Sequence, residues 1–176
     1  MTIHVVPDPA RIAIAVSSFN RDVTWGLLRG ARAYLADQGA PVADEDVIDA
    51  PGAFELPLIA QALARTGRFD GVVCLGCVIK GDTAHFEFIS HASSLGLMTV
   101  SLAAEVPVAF GILTTYTEEQ AKARSRNDAS NKGAEAAKAC LDTIATLRRI
   151  REPAKSNRHA ADPARRPGET REAFLD

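Results

Sequence analysis

The sequence predicts an α/β fold, a three-layer α/β/α sandwich around a mostly parallel four-stranded sheet. Two observations carry this prediction. Short apolar runs that suit buried strands alternate along the chain with segments whose apolar residues recur at helical spacing. The run at 71–79, GVVCLGCVI, holds no charged residue at all. A continuous apolar run suits a strand covered on both faces, as in a parallel sheet.

Each element follows from local signals. Residues 11–18, RIAIAVSS, read as a first buried strand. Asn20 can cap the helix that follows, about 21–38, where Val23, Leu27, Ala31, Tyr34 and Leu35 recur at helical spacing and Gly39 supplies the stop. A weak, acidic strand is expected near 43–49, before the turn forced by Pro51-Gly52. A second helix covers roughly 54–66, with Pro57 tolerated in its first turn and Gly67 at its end. The strand at 71–79 empties into the polar loop Lys80-Gly81-Asp82-Thr83, and a third helix runs from about Ala84 to 102. Residues 107–113 form another strand. Thr117 and Gln120 have the capping-box spacing of a short helix. Asn131 can cap the last helix, about 132–150, with Ala134, Ala137, Leu141, Ile144 and Leu147 on one face.

The chain divides into an N-terminal arm (1–10), one domain (11–152) and a tail (153–176). The tail has three prolines, nine charged residues and only two large apolar ones, Phe174 and Leu175, so it is expected to be a flexible extension. Composition is that of a globular protein, with 47% hydrophobic and 24% charged residues. A net charge of −2 excludes the basic footprint of a nucleic-acid-binding protein. No apolar run approaches the ~20 residues that span a bilayer, and the first residues lack a secretory pattern. A cytoplasmic location is therefore expected. Cys74 and Cys77 form a C-x-x-C pattern, open to a redox or half-zinc reading, but both sit inside an apolar run and suit plain core cysteines.

In parallel sheets ligands bind at the carboxyl ends of the strands. Three loops are expected there: Ser18–Asn20, Pro51–Glu55 and Lys80–His85. His85 is the best acid/base candidate, since imidazole changes charge near neutral pH; a solvated histidine in the first turn of a helix is the plain alternative. His91 lies six residues on, not the i, i+4 spacing of a helical metal pair, and no metal or cofactor is expected. Lys80-Gly81-Asp82-Thr83 ahead of a helix resembles an anion nest, although Asp82 must point away from a phosphate and short glycine loops are common. Arg124 can match phosphate oxygens bidentately or simply solvate its helix beside Lys122 and Arg126. Lys132 and Glu135 read equally as a surface ion pair. Phe19 can stack on a flat heterocycle or turn back into the core. Glu55 can bind hydroxyls or act as a dipole partner at a helix start.

Taken together, Ser17–Asn20 (SSFN), Pro51–Pro57 (PGAFELP), Gly76–Glu87 (GCVIKGDTAHFE), Phe110–Thr114 (FGILT), Glu119–Ala121 with Arg124, and Asn131–Ala136 (NKGAEA) resemble the motifs of lumazine synthase, in order and over about residues 11–150. The resemblance implies a flavodoxin-like sandwich whose N-terminal arm is able to join a neighbour's sheet. It implies condensation of 5-amino-6-(D-ribitylamino)uracil with 3,4-dihydroxy-2-butanone 4-phosphate in riboflavin biosynthesis. By position, Phe19 would stack on the pyrimidine, Ala53 and Glu55 would meet the ribityl chain, and Val78 and Lys80 would contact the ring edge through their backbones. Gly81, Asp82 and Thr83 would line the phosphate pocket, His85 would shuttle protons and Arg124 would hold the phosphate, with Phe110, Lys132 and Glu135 completing the site. Phe110, Arg124 and Lys132 would come from a neighbouring subunit of a homo-oligomer built on pentamers. The link Ser125–Ser130 lacks the glycine that many members carry there, at a place tied to how pentamers pack into larger shells. A non-catalytic ligand-binding relative, a flavodoxin-like electron-transfer domain and a C-x-x-C redox protein are the rival readings.

Overall fold

The computed structural model describes residues 9–152. Expectations for 1–8 and 153–176, the arm and the tail, lie outside these residues.

Four strands, β1 (Ile12–Ser17), β2 (Val47–Ala50), β3 (Gly71–Ile79) and β4 (Val108–Thr115), form one sheet in the order β2-β1-β3-β4. Every pairing is parallel, with Ile14 opposite Val47 and Val73, and Cys74 opposite Phe110. Among the described residues the α-helices are α1 (Arg21–Asp37), α2 (Leu56–Arg65), α3 (His85–Ala104), α4 (Glu118–Arg124) and α5 (Lys132–Arg151). Side chains alternate across a strand, and the two faces of the sheet feed two separate cores. Ile12, Ile14, Val16, Val73 and Leu75 pack with Leu27 and Leu35 of α1, Ala121 of α4 and Ile144 of α5. Ala13, Ala15, Val72 and Ile112 pack with Leu56 and Ala60 of α2 and Leu97 and Val100 of α3. The result is the expected three-layer sandwich, with a sheet that is parallel throughout.

Several ends shift by up to two residues, β4 running on to Thr115 and α3 to Ala104, and the second strand shifts more. The acidic strand forecast at 43–49 is shorter: Asp44–Asp46 closes a 3₁₀ turn and only Val47–Ala50 pairs. The second helix begins at Leu56, with Glu55 at its N-cap and Pro57 in its first turn. The expected stops hold, since Gly39 and Gly67 both adopt positive φ. Thr117 and Gln120 cap α4: the Thr117 hydroxyl accepts from the Gln120 N–H, while Gln120 Oε1 accepts from the Tyr116 N–H at 3.0 Å. Asn131 caps α5 as forecast, accepting from the N–H groups of Gly133 and Ala134.

Asn20 does something different from the expected side-chain cap. It stands at the N-cap of α1 in the left-handed region, at φ 55°, which asparagine tolerates better than most residues. Its side chain makes no capping bond; Nδ2 instead donates to the Cys77 carbonyl at 2.9 Å.

The C-x-x-C pattern is resolved by the pleat. Positions three apart on a strand face opposite sides, and Cys74 and Cys77 lie in different cores. Both are free thiols, as is Cys140. Burial pushes Cys77 up to about 11 and Cys140 to about 12, and raises Cys74 too, so none is a reactive thiolate near neutral pH.

Candidate functional site

Strand order decides where a site can form. The chain leaves β1 toward β2 and then crosses back to β3, so the loops after β1 and β3 diverge around a crevice, the place where open α/β sheets bind ligands. A cavity of about 720 Å³ opens there, within the usual range for small-molecule sites. All three loops expected at the strand ends reach it: Phe19 and Asn20 after β1, Gly52–Glu55 after β2, and Val78, Gly81, Thr83 and His85 around the end of β3.

Each wall has a local cause. Ser18 N–H donates to the Ala50 carbonyl at 2.7 Å, and the Asn20 amide reaches Cys77, so the turn after β1 is pinned to both neighbouring strands. This turn holds the Phe19 ring 68% exposed at the cavity rim, which settles its alternatives against a core position. Ala53 is buried, and its carbonyl accepts from the Ser93 hydroxyl of α3 at 3.0 Å. Glu55, at the N-cap of α2, lies near Gly52, where an added Cβ would come within 3.0 Å of its Oε2.

The floor of the cavity is the start of α3. Its N-cap is Ala84, which has no side-chain acceptor to offer the first N–H groups of a 20-residue helix. The one side-chain bond there runs from His85 N–H to Thr83 Oγ1, at a long 3.4 Å. An uncapped helix start carrying partial positive charge is suited to an oxyanion. His85 is the first residue of α3 and lines the cavity with Phe86 and Ile89. Lys80 and Asp82 do not line it; Lys80 turns to Glu87, 2.7 Å away.

The other four candidates lie elsewhere. Phe110, Arg124, Lys132 and Glu135 share a groove of about 410 Å³ along β4, the outer edge of the sheet. Arg124 donates to the Gln120 carbonyl at 3.0 Å. Lys132 and Glu135 form the expected ion pair, with Nζ 2.6 and 2.7 Å from the two carboxylate oxygens. Within one chain the candidates other than Lys80 and Asp82 thus form two groups, a cavity at the carboxyl end of β1–β3 and a groove on the edge of β4.

Sequence reasoning did not find Phe54, Phe86 and Ile89 as cavity walls, nor the tie made by Asn20. Phe86 and Ile89 follow His85 at one and four positions, so helical spacing alone could have placed Ile89 beside it. The Asn20 tie depends on a strand 57 residues away. Among the described residues, no helix is long and apolar enough to cross a membrane.

The family described as "6,7-dimethyl-8-ribityllumazine synthase" matches residues 9–148. The chain is 72% identical over 148 residues to "6,7-dimethyl-8-ribityllumazine synthase 1" of Caulobacter vibrioides, covering 84% of this chain and 97% of that one. It is 51% identical to the 6,7-dimethyl-8-ribityllumazine synthase of Edwardsiella ictaluri over 84% of this chain and 95% of that protein. To the protein of the same name from Yersinia pestis it is 47% identical, over 84% and 96% of the two chains.

Proposed function

The chain belongs to the 6,7-dimethyl-8-ribityllumazine synthase family, and we propose that its active site is assembled from two copies of the chain. It is a transferase of riboflavin biosynthesis. It condenses 5-amino-6-(D-ribitylamino)uracil with 3,4-dihydroxy-2-butanone 4-phosphate, releasing phosphate and water.

The observation that carries the two-copy site is the separation of Arg124 from the cavity that holds Phe19 and His85. A phosphate at the start of α3 needs a counter-charge, and Lys80 is already held by Glu87. A second copy docked with its β4 edge over the cavity supplies Arg124, Phe110, Lys132 and Glu135 to the first. An exposed apolar stripe on α3, formed by Phe88, Leu95, Met98 and Leu102, gives such a docking its hydrophobic drive. Repeating this head-to-tail contact closes a ring, in keeping with the pentamer that the resemblance implies. The domain would be 11–152, with residues 1–10 as an arm and 153–176 as an extension.

The residues then divide the work. The Phe19 ring stacks on the pyrimidine, with Ala53 and Glu55 along the ribityl chain and the backbones of Val78 and Lys80 at the ring edge. Gly81 and Thr83 with the start of α3 surround the phosphate, Asp82 contributing backbone with its carboxylate turned away, and Arg124 neutralises it. The substrate amine attacks the ketone carbon, and water leaves as the imine forms. Phosphate is then eliminated, and attack by the second nitrogen closes the ring with loss of water. His85 accepts and returns protons in these steps. Most of the acceleration comes from holding two partners that react readily once aligned.

Lumazine fluorescence on mixing the two substrates tests the activity. Subunit mixing tests the shared site. Arg124→Ala protein and Phe19→Ala/His85→Ala protein, unfolded together and co-refolded, should show turnover well above that of either variant refolded alone. No recovery in verified mixed oligomers would place every site residue in one chain.

A further inference from the structure

Lys80 stands where the loop after β3 meets the end of β4, and its ammonium is held on one side by a carboxylate and two rings. Nζ lies 2.7 Å from Glu87 Oε1, in the first turn of α3. It also lies 5.7 Å from the centre of the Phe86 ring and 5.8 Å from that of Tyr116, and those rings are 6.1 Å apart. A cation neutralised by a carboxylate and seated beside two aromatic rings is turned toward those partners, although one carboxylate bond leaves it further N–H donors. The carboxylate hydrogen bond raises the Lys80 pKa and lowers that of Glu87, so both stay charged around neutral pH.

The surroundings are braced from the β4 side. Lys80 N–H donates to the Thr115 carbonyl at 2.9 Å. Tyr116 N–H donates to Gln120 Oε1 at 3.0 Å, and the Thr115 hydroxyl to the Thr117 carbonyl at 3.1 Å. By contrast, residues 81–83 are exposed and, among the described residues, make a single hydrogen bond, the 3.4 Å contact of Thr83 with His85 N–H. An added Cβ at Gly81 would meet nothing within 4 Å. The geometry of this loop therefore rests on what holds its two ends.

We propose that Lys80 is a positioning residue whose side chain latches the 80–84 loop to Glu87, Phe86 and Tyr116, presetting the anion pocket without itself binding the anion. This rests on the reading above that the loop receives phosphate. The alternative, direct binding by the Lys80 ammonium, predicts the opposite sign for one substitution. Removing the Glu87 charge would free a direct ligand and tighten phosphate, but would loosen a latch and weaken it.

The test uses the assembled full-length enzyme and two readouts: the Kd for inorganic phosphate by titration calorimetry, and the KM of each substrate. Glu87→Gln, Tyr116→Leu and Lys80→Met should each weaken phosphate binding by about five-fold, the scale of one exposed ion pair plus a cation–π contact. The KM of the dihydroxybutanone phosphate should rise in step, and by more than that of the aminouracil. Lys80→Arg should restore both, because guanidinium pairs with a carboxylate and stacks on rings. Tighter phosphate binding by Glu87→Gln, or an unchanged Kd in all three weakening variants with intact assembly, would overturn the latch. The calorimetric result decides this even if wild-type turnover fails, which would instead count against the catalytic reading.

Discussion

The two helical layers that cover the sheet are finished to different degrees. In the α1/α5 layer the helices approach so closely that a Cβ on Gly133 would lie 2.0 Å from the Leu27 carbonyl oxygen, and one on Gly30 would lie 2.1 Å from Asn131 Oδ1. Asn131 is 2% exposed and has its hydrogen-bonding groups occupied within the layer: Oδ1 accepts from Gly133 and Ala134, while Nδ2 donates to the carbonyls of Gly26 (3.0 Å) and Arg126 (2.7 Å). In the α2/α3 layer, α3 presents Ser93, Leu97 and Val100 to the interior. At 100° per residue, Phe88, Leu95, Met98 and Leu102 form a second apolar stripe on the opposite side. Phe88 and Leu102 are each 72% exposed, as is Leu58 of α2. The first, closed layer is held mainly by contacts internal to the chain, with Trp25 and Ile150 its large exposed apolar residues. The second, open layer carries a continuous exposed apolar stripe, the surface on which the proposed second copy would dock.

The largest effect is expected in the closed layer. Gly133→Val drives a branched side chain into backbone with no room to move, and should cost about 4 kcal/mol or more, read as loss of the cooperative urea transition. A well-folded variant would mean that the α1/α5 contact is looser than it looks.

In the open layer, charge should spare the fold and break the assembly. Phe88→Glu with Leu102→Glu should change the stability of the single chain by only about 0.5 kcal/mol per site. It should shift the particle to monomers by light scattering and abolish nearly all turnover. Full activity from that monomer would sink the shared site.

Within the shared site the two groups should separate kinetically. Arg124→Ala should raise the KM of the phosphate substrate roughly 10- to 100-fold, the worth of a charge-assisted hydrogen bond. His85→Ala should lower kcat by about 10²-fold at most, the low end for proton transfer, and leave measurable turnover. Complete inactivity of folded, assembled His85→Ala protein would contradict catalysis dominated by alignment.

The smallest expected effect is none. Cys74 faces the open layer and Cys77 and Cys140 the closed one, and burial raises all three. At pH 8 each is overwhelmingly the protonated thiol, and thiolate would accumulate only as pH rises toward about 11. The native protein should therefore react with none of its thiols in an Ellman assay, in the oligomer or the dissociated variant. Rapid labelling of Cys74 in the monomer would show that the open layer is also loose against the sheet.

Element order, element type and most helix ends were legible in the sequence, because periodicity, caps and breakers act within a few residues. RIAIAVSS, Gly39, Pro57, Gly67 and Asn131 each announce a strand, a stop or a start by short-range chemistry alone. The three strand-end loops could be read for the same reason, since a parallel sheet brings like ends together. What only the tertiary structure decided involves partners distant in sequence. That β1 lies beside β3, so that Asn20 reaches Cys77 and Phe19 lines one cavity with His85, follows from pairing across about 57 residues that no local window contains. That Arg124 lies with Phe110 along the outer edge of β4, away from the cavity, follows from that strand's place at the end of the sheet. Local sequence sets the conformation of each segment, whereas the neighbours of a side chain are set by how distant segments bury their apolar faces together.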